Sequence, residues 1–351
     1  MSLPWKARWH RLTHWEYWSY AWVYYPLFPF WLWFAFQERS LFFFSAANPA
    51  MAYGGLTMES KMEIYRMIPD AVIPKTILLP KDGERDWESL KDQMKSTGLQ
   101  FPCIAKPDVG LKGLGVTKIH NFEELQAYGQ KVPKEILVQE LITYPNEVGL
   151  FYVRFPGEAK GRVTGIVKKE FLHVIGDGSS TLKQLIFDEP RCLLQWPSLK
   201  EEFSEQELME VLDAGEKKIL LKVGSHTRGA LFLDYSDRIS PVLETWVNEV
   251  CGQVEGFYYG RLDIMYDNWE AFERGEDYRI IEINGAGSEP THIYDPKHSL
   301  WFAWKEIKRH CSYMHKIARS NHRKGIPYLS RQEGRQMLKE HRQLETFLES
   351  L

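Results

Sequence analysis

Two short strings in the C-terminal part of the chain carry polar side chains at a spacing that suits chemistry. Arg261 and Asp263 stand two residues apart in one apolar run, and Glu282 and Asn284 do the same in a later run. Because alternate residues of a β-strand face the same side, each pair would point in one direction. Two adjacent strands of this kind would bring two carboxylates, an amide oxygen and a guanidinium together. Oxygen ligands suit Mg²⁺ or Mn²⁺, so the strings predict a metal–nucleotide site with an arginine beside it.

A glycine-rich segment lies upstream, in residues 101–116. An apolar strand is predicted to end at Lys106, and a loop with Gly110, Gly113 and Gly115 leads into a second apolar run. Glycines let backbone N–H groups turn toward a phosphate, and a lysine supplies a point charge. The loop lacks the Gly-Lys-Ser/Thr ending of a Walker A motif, and no helix start follows the glycines as in a dinucleotide-binding fingerprint. Taken alone, the segment also fits a plain β-hairpin.

Together these motifs resemble those of the ATP-grasp ligases, and of D-alanine–D-alanine ligase in particular, over about residues 58–297. The resemblance implies an α/β (α+β) fold in which two α+β subdomains clasp ATP. It makes Asp263, Glu282 and Asn284 the Mg²⁺ ligands. It also makes Arg261 the catalytic residue that stabilises the acyl-phosphate and the tetrahedral intermediate.

The same resemblance assigns residues to the nucleotide. Residues 136–142 look like the hinge strand that holds adenine, and Glu147 looks like the acidic residue that holds the ribose. An earlier ATP lysine corresponds to Lys61, in the string Glu59-Ser60-Lys61. The full nucleotide set implied is Lys61, Lys106, Gly110, Gly113, Gly115, Gln139, Glu140, Ile142 and Glu147.

The loop after the metal asparagine meets the second substrate in the resembling ligases. Here it contains Ser288, Glu289 and His292, and the last two would suit an amine or cationic group. The preceding α/β domain of those ligases is not recognisable in the first 57 residues. The segment from Phe43 to Gly55 would either line the substrate pocket or form a structural turn.

Residues 174–186 resemble a run found in cyanophycin synthetases and bifunctional glutathione synthetases. Locally they predict a turn, followed by a helix that Ser180 or Thr181 caps. Just upstream, Lys168 and Lys169 are further candidates for phosphate contact. The segment therefore indicates a subgroup of ligases and does not itself predict chemistry.

Composition limits the remaining classes of function. The chain has 351 residues and a net charge of −3, so there is no electrostatic argument for binding nucleic acid. Its four cysteines show no C-x-x-C spacing, which fits a reducing compartment and argues against a structural zinc site. The expected location is cytoplasmic, with peripheral contact to the inner face of the membrane as an addition.

The N-terminal segment is unusually aromatic. From Tyr17 to Gln37 there is no formal charge, and 12 of the 21 residues are aromatic. A transmembrane helix is not predicted, because Pro26 and Pro29 interrupt the run and Trp and Tyr prefer the membrane interface. Residues 17–36 would either lie in a membrane interface, supported by basic residues before them, or pack on protein as a buried layer or a homodimer contact. The prolines favour burial on protein.

The chain is predicted to divide into five segments. Residues 1–57 form the aromatic N-terminal segment, 58–99 the entry to the ATP-grasp unit, and 100–145 the glycine-loop subdomain and hinge. Residues 146–310 form the catalytic core with the metal ligands, and 311–351 the charged C-terminal helices. Apolar spacing predicts helices at 242–254, 300–318 and 330–350, and one or two surface helices within 199–221.

The predicted activity is that of an ATP-dependent carboxylate–amine ligase. It would use Mg-ATP to form an acyl-phosphate and then an amide bond between small-molecule substrates. An ATP-grasp kinase that phosphorylates an alcohol is the alternative from another reaction class. A membrane-associated, non-catalytic ATP-binding protein is the third reading. Arg261 favours the ligase, because a kinase has no tetrahedral oxyanion to stabilise.

Overall fold

The computed structural model describes residues 5–111, 113–221 and 223–351. Helices and antiparallel sheets share the chain, which confirms the α+β prediction. The helices are α1 Trp5–Thr13, α2 Tyr20–Tyr24, α3 Phe28–Glu38, α4 Lys61–Tyr65, α5 Trp87–Thr97, α6 Phe122–Lys131, α7 Leu182–Asp188, α8 Pro190–Leu194, α9 Trp196–Glu202, α10 Glu205–Leu208, α11 Pro241–Gln253, α12 Trp269–Glu273, α13 Leu300–Arg323 and α14 Arg331–Glu349.

Short strands make up the sheets. They are β1 Thr76–Leu79, β2 Cys103–Pro107, β3 Thr117–Ile119, β4 Ile136–Glu140, β5 Asn146–Val153, β6 Arg162–Glu170, β7 Leu172–Ile175, β8 Lys217–Leu221, β9 Leu231–Asp234, β10 Tyr259–Tyr266 and β11 Tyr278–Asn284. The chain divides into two compact units. The first contains residues 5–28, 167–237 and 291–308, and the second contains 29–166, 238–290 and 309–351. The five predicted segments remain a prediction.

The first unit is built around a small apolar cluster. Strands β7 and β8 pair antiparallel, and the second half of β6 pairs with β9. Helix α7 begins with a capping box, in which Thr181 and Gln184 exchange hydrogen bonds, as the sequence predicted for Ser180 or Thr181. Leu172, Leu182 and neighbouring side chains from α7–α10 fill the cluster.

One sheet of the second unit carries the glycine-rich segment. Its strand order is β1-β4-β2-β3, and β2 pairs antiparallel with β3 as the hairpin prediction required. Alternate residues of β1 and β2, such as Ile77, Leu79, Cys103 and Ala105, pack against helices α5 and α6. This packing fixes the strand ends from which the glycine loop leaves.

The other sheet of the second unit carries the polar strings. Strand β10 lies between β5 and β11, antiparallel to both, and β6 follows β5. On one side, Phe151, Val153 and Tyr259 pack on Met314 and Ile317 of α13. Arg261 and Asp263 alternate with Tyr259 along β10, so the polar residues lie farther along this same face of the sheet.

The predicted helices at 242–254, 300–318 and 330–350 are confirmed as α11, α13 and α14. The helical prediction for 199–221 is wrong at its end. Residues 217–221 form β8, because pairing with β7 outweighs the local helical pattern of charges and apolar residues. Helices α9 and α10 account for most of residues 199–208.

The aromatic N-terminal segment forms short helices rather than a single long one. Pro26 lies in a 3₁₀ turn and Pro29 in the first turn of α3, where a proline is tolerated. Many rings remain exposed, including Trp22, Tyr25, Trp33 and Phe36. Burial on the body of the same chain is therefore wrong for these residues. Among the described residues, no helix combines the length and apolar character needed to cross a membrane.

Candidate active site

Strands β10 and β11 place the four polar residues on one face of the sheet. Asp263 is the direct antiparallel partner of Glu282, and Arg261 is the direct partner of Asn284. The register shifts between Asp263 and Ile264, and the pairing then continues from Ile264 with Ile280. The i, i+2 spacing of the sequence and the strand register together gather two carboxylates, an amide and a guanidinium.

Arg261 and Asp263 form a bidentate ion pair. The guanidinium donates from Nε to Oδ1 and from Nη2 to Oδ2, each at 2.9 Å. Asn284 donates from Nδ2 to the same Oδ2 at 3.5 Å. The aspartate is almost fully buried, so its charge requires this pairing. Arg261 is thereby held in a fixed orientation beside the two carboxylates.

The second carboxylate has its own cation. Lys61, at the start of α4, extends its Nζ to 3.6 Å from Oε1 of Glu282. The same Nζ lies 3.4 Å from the carbonyl oxygen of Asp108, and the Asp108 Oδ1 accepts a hydrogen bond of 2.8 Å from the Met62 amide. The start of α4 is thus fixed to the end of β2 and to β11 at the same point.

Lys106 lies inside this cluster. Its side chain is buried, and its Nζ lies 3.3 Å from the Tyr65 hydroxyl and 3.4 Å from the carbonyl oxygen of Ile281. Burial lowers the pKa of Lys106 to about 8, against the opposing effect of Glu282 and Asp108. A buried ammonium beside carboxylates is well suited to meeting the added negative charge of a phosphate.

The glycine loop begins close to the Lys61 side chain. The position that a Cβ would occupy on Gly110 lies 3.5 Å from the Lys61 Nζ. Gly113 and Gly115 adopt left-handed φ angles of 72° and 74°, which other residues rarely adopt. The carbonyl of Gly115 accepts a 2.6 Å hydrogen bond from the Tyr128 hydroxyl, which ties the end of the loop to α6.

The predicted hinge strand β4 is buried along most of its length. The Gln139 side chain donates to the Thr76 hydroxyl at 2.8 Å, and the Glu140 carboxylate accepts from the Lys75 amide at 3.2 Å. Ile142 follows the strand and is half-buried, while Glu147 is buried near the start of β5, opposite Met265 of β10. All four belong to the same unit as the polar cluster.

The loop after Asn284 packs on the segment around Gly54 and Gly55. The amides of Ala286 and Gly287 donate to the carbonyls of Gly54 and Gly55, at 3.1 and 2.8 Å. Farther along, the Ser288 hydroxyl donates to the carbonyl of Asn284 at 2.7 Å, and Glu289 is half-buried. This backbone contact holds the loop that carries two of the predicted substrate residues.

The third predicted substrate residue belongs to the other unit. His292 is buried there, with Nε2 3.5 Å from a carboxylate oxygen of Glu306. Lys168 also lies in that unit and forms an ion pair of 3.4 Å with Glu170. Their suggested roles toward substrate and phosphate remain predictions.

Sequence reasoning did not single out two side chains in the cluster. Tyr65 donates from its hydroxyl to the carbonyl of Ile281 and contacts Lys106. It stands four residues after Lys61 on α4, and this i, i+4 spacing is a signal that could have identified it. Burial raises the pKa of Glu59, which precedes Lys61 by two residues and has a buried Oε2 atom.

The donor set fits a hard divalent cation. Two facing carboxylates and one amide offer oxygen atoms alone, and Mg²⁺ commonly takes one or two carboxylates with phosphate oxygens and water. Across the described residues, no group of three or more Asp, Glu, His or Cys side chains could hold a metal by itself. Two carboxylates and an amide leave coordination positions that phosphate oxygens and water can fill.

Comparisons with known proteins agree with the motifs. No protein-family profile matches the chain. Among curated proteins, it is 23% identical over 265 residues to the glutathione biosynthesis bifunctional protein GshAB of Clostridium perfringens (strain 13 / Type A). That match covers 69% of this chain and 32% of the relative, so the chain spans about a third of the relative's length.

Solved structures with some likeness include three ligases. The VanG D-Ala:D-Ser ligase of Enterococcus faecalis is 16% identical, with 73% of this chain and 61% of that one covered and a TM-score of 0.42. A D-alanine–D-alanine ligase of Bacillus anthracis is 12% identical, with 76% of this chain and 69% of that one covered and a TM-score of 0.41. A bifunctional glutathione synthetase of Pasteurella multocida is 15% identical, with 70% of this chain and 36% of that one covered and a TM-score of 0.39. The sequence match to the curated relative confirms the resemblance to ATP-grasp ligases that the motifs indicate.

Proposed function

We propose that this protein is an ATP-dependent carboxylate–amine ligase that uses Mg²⁺ or Mn²⁺. The observation that carries the proposal is the meeting of Asp263 and Glu282 across two strands, with Arg261 and Lys61 each paired to one of them. Oxygen ligands for a metal, cations for phosphates and a fixed guanidinium are the parts needed to activate a carboxylate with ATP. The curated relative's name, with its reference to glutathione biosynthesis, supports the same class of reaction.

The proposed reaction has two steps. A substrate carboxylate oxygen attacks the γ-phosphorus of ATP in line, and ADP leaves. An amine then attacks the acyl carbon, the carbon–oxygen bond to phosphate breaks, and the amine loses a proton as the amide forms. A metal bound to Asp263, Glu282 and Asn284 would neutralise charge on the phosphoryl group.

The chain's own groups have distinct proposed roles. Lys61 and Lys106 hold phosphate oxygens, and the loop with Gly110, Gly113 and Gly115 closes over them to exclude water. Arg261 donates hydrogen bonds to the oxyanion that forms at the acyl carbon. Water exclusion protects the acyl-phosphate, which water would otherwise hydrolyse.

The assignments at the nucleotide and substrate ends of the site rest on the resemblance to the ATP-grasp ligases. We assign adenine and ribose to the strand ending in Gln139 and Glu140, to Ile142, and to Glu147. Ser288 and Glu289 would meet the second substrate, and His292 is proposed with them on the resemblance alone. The carboxylate and amine are small molecules, and contact of residues 17–36 with a membrane or a second copy is proposed in addition.

A screen for ADP release tests the proposal. The protein is incubated with ATP, Mg²⁺, a panel of carboxylates and a panel of amines, and products are identified by mass spectrometry. The expected result is metal-dependent ADP release that needs one carboxylate and one amine, with an amide as product. Phosphorylation of an alcohol with no need for a carboxylate would instead support the ATP-grasp kinase.

Two matched variants separate the site from the rest of the fold. Glu282→Gln removes a metal oxygen, and Glu270→Gln makes the same change at an exposed position on α12. ADP release should be lost in the first and retained in the second. Equal activity in both variants would contradict the proposed site.

A further inference from the structure

The outer face of α3 is apolar and open to solvent. Trp33 is 56% exposed and Phe36 is 75% exposed, and Phe30 and Leu32 are exposed beside them. The inner face of the helix packs Trp31, Phe34 and Ala35 on the core of the second unit. Exposed rings in such numbers are costly for a surface that meets water alone.

This helix is firmly attached to α13. The Glu38 carboxylate accepts hydrogen bonds of 2.7 Å from His315 and 2.8 Å from the Tyr328 hydroxyl, and it lies 3.5 Å from Nε of Arg319. The Phe34 ring also stacks on His315, with ring centroids 4.3 Å apart. The exposed face therefore belongs to a fixed helix and not to a loose end.

A basic groove lies on α13 next to this attachment. It has a volume of about 420 Å³ and is lined by Lys316, Arg319, Ser320, Arg323 and Lys324. Arg319 lines the groove and also lies against Glu38, so the groove adjoins the end of α3. The lining contains four cations and no carboxylate, which favours an occupant that carries negative charge.

The first unit repeats the combination. In α1 the exposed apolar side chains are Trp5, Trp9 and Leu12, and the basic residues between them, Lys6, Arg8 and Arg11, are exposed as well. Trp and Phe beside Lys and Arg is the composition of a surface that lies in the headgroup region of a bilayer.

We propose that the aromatic face of α3 and the basic groove of α13 form a docking surface for a bilayer that contains anionic lipid. The rings enter the boundary between headgroups and acyl chains, and the groove receives the negatively charged headgroups. The surface holds the protein on the membrane without a spanning helix. This inference is independent of the ligase reaction, because it uses none of the residues of the proposed active site.

Flotation of the full chain with vesicles tests the proposal. One set of vesicles is phosphatidylcholine, and the other is equal parts of phosphatidylcholine and phosphatidylglycerol. The protein should float with the anionic vesicles, and raised salt should weaken this binding because screening acts on the headgroup contacts. Failure to float with anionic vesicles at low salt would overturn the proposal.

Two double variants assign the binding to the surface. Trp33→Ser/Phe36→Ser should weaken binding at least about tenfold, since two inserted rings are lost. Lys316→Gln/Lys324→Gln should weaken binding to anionic vesicles roughly thirtyfold, because each lysine near an anionic surface contributes to attraction. Both changes are at exposed positions, and circular dichroism checks that each variant is folded.

Matched controls make the same chemical changes elsewhere in the second unit. Val242→Ser/Leu338→Ser removes two exposed apolar side chains, and Lys95→Gln/Lys131→Gln removes two exposed lysines. Neither control should change flotation. Equal loss in variants and controls would overturn the assignment of this surface. So would a stable dimer, by sedimentation equilibrium, that Trp33→Ser/Phe36→Ser converts to monomer while flotation is unchanged.

Discussion

Asp263 and Glu282 face each other directly across β10 and β11, and each has a different cation beside it. Arg261 forms a bidentate pair with the aspartate, while Lys61 lies 3.6 Å from the glutamate. Two carboxylates this close would repel one another without such cations. The two cations offset that repulsion at the point where a metal would bind.

The first prediction concerns Glu282. Glu282→Gln keeps the shape of the side chain but removes the negative charge from one metal ligand. We expect turnover to fall by about two orders of magnitude or more, since metal stabilisation of transition-state charge is worth several kcal/mol. Steady-state ADP release measures this, with a thermal melt to show that the fold is kept. Turnover that stays near the wild-type value would remove Glu282 from the metal set.

The second prediction is a pH dependence at Lys106. With its pKa near 8, the free protein loses this ammonium as the pH rises above that value. A phosphate ligand needs the charged form, so affinity for a non-hydrolysable ATP analogue should be full near pH 7 and weaker near pH 9. Calorimetry at both pH values measures this. Lys106→Arg stays charged and should flatten the profile, whereas an unchanged slope in that variant would assign the effect to another group.

The third prediction covers the removal of each phosphate lysine. Lys106→Ala and Lys61→Ala should each weaken binding of the analogue by about 1.5–3 kcal/mol, the usual range for hydrogen bonds to charged groups. Lys95→Ala, an exposed lysine on α5, is the matched control and should bind as the wild type does. Calorimetry again supplies the affinities. Wild-type affinity in both site variants would contradict the assignment of these lysines.

The fourth prediction separates binding from catalysis at Arg261. An oxyanion donor acts mainly in the transition state, and loss of one donor costs about 2.7–4 kcal/mol. Arg261→Ala should therefore lose amide formation far more than analogue affinity. The two are compared by single-turnover product formation and calorimetry. Parallel losses in both would make Arg261 a nucleotide-binding residue, or a structural partner of Asp263.

The fifth prediction tests the loop after Asn284. Gly55 has a φ of +76°, and a Cβ there would lie 2.6 Å from the Cα of Gly285. Gly83 has a φ of +83° with nothing within 4 Å, so Gly83→Ala carries the same backbone strain without a collision. Gly55→Ala should lose turnover through displacement of the loop with Ser288 and Glu289, and Gly83→Ala should not. Equal turnover in the two variants would show that the contact between Gly55 and this loop does not affect the active site.

The sequence predicted the parts of the fold that depend on local pattern. The i, i+2 spacing of Arg261 and Asp263 identified a strand face, and the run from Thr181 identified a capped helix, because both signals act within a few residues. The meeting of the two polar strings depends on the register of β10 against β11, which the sequence does not state. The polar strings of the site were therefore predictable, but not their one-to-one pairing.

Other features depend on contacts far apart in the chain. Tyr65 meets Lys106 across 41 residues, and β8 exists because β7 pairs with it. The spacing of Lys61 and Tyr65 indicates only that the two side chains share a face of α4, and no local signal predicts the pairing of β8 with β7. The exposed rings of α3 also differ from the expectation of burial on the body of the same chain. Pro29, expected to interrupt the run, lies in the first turn of that helix.

The central claim is that a carboxylate is activated through an acyl-phosphate at Asp263, Glu282 and Arg261. Its most direct test uses the substrate pair found by the ADP-release screen, with the carboxylate labelled by a heavy oxygen isotope. The account predicts that one labelled oxygen appears in the released inorganic phosphate, because the carbon–oxygen bond breaks when the amine attacks. Unlabelled phosphate released while the amide forms would contradict it.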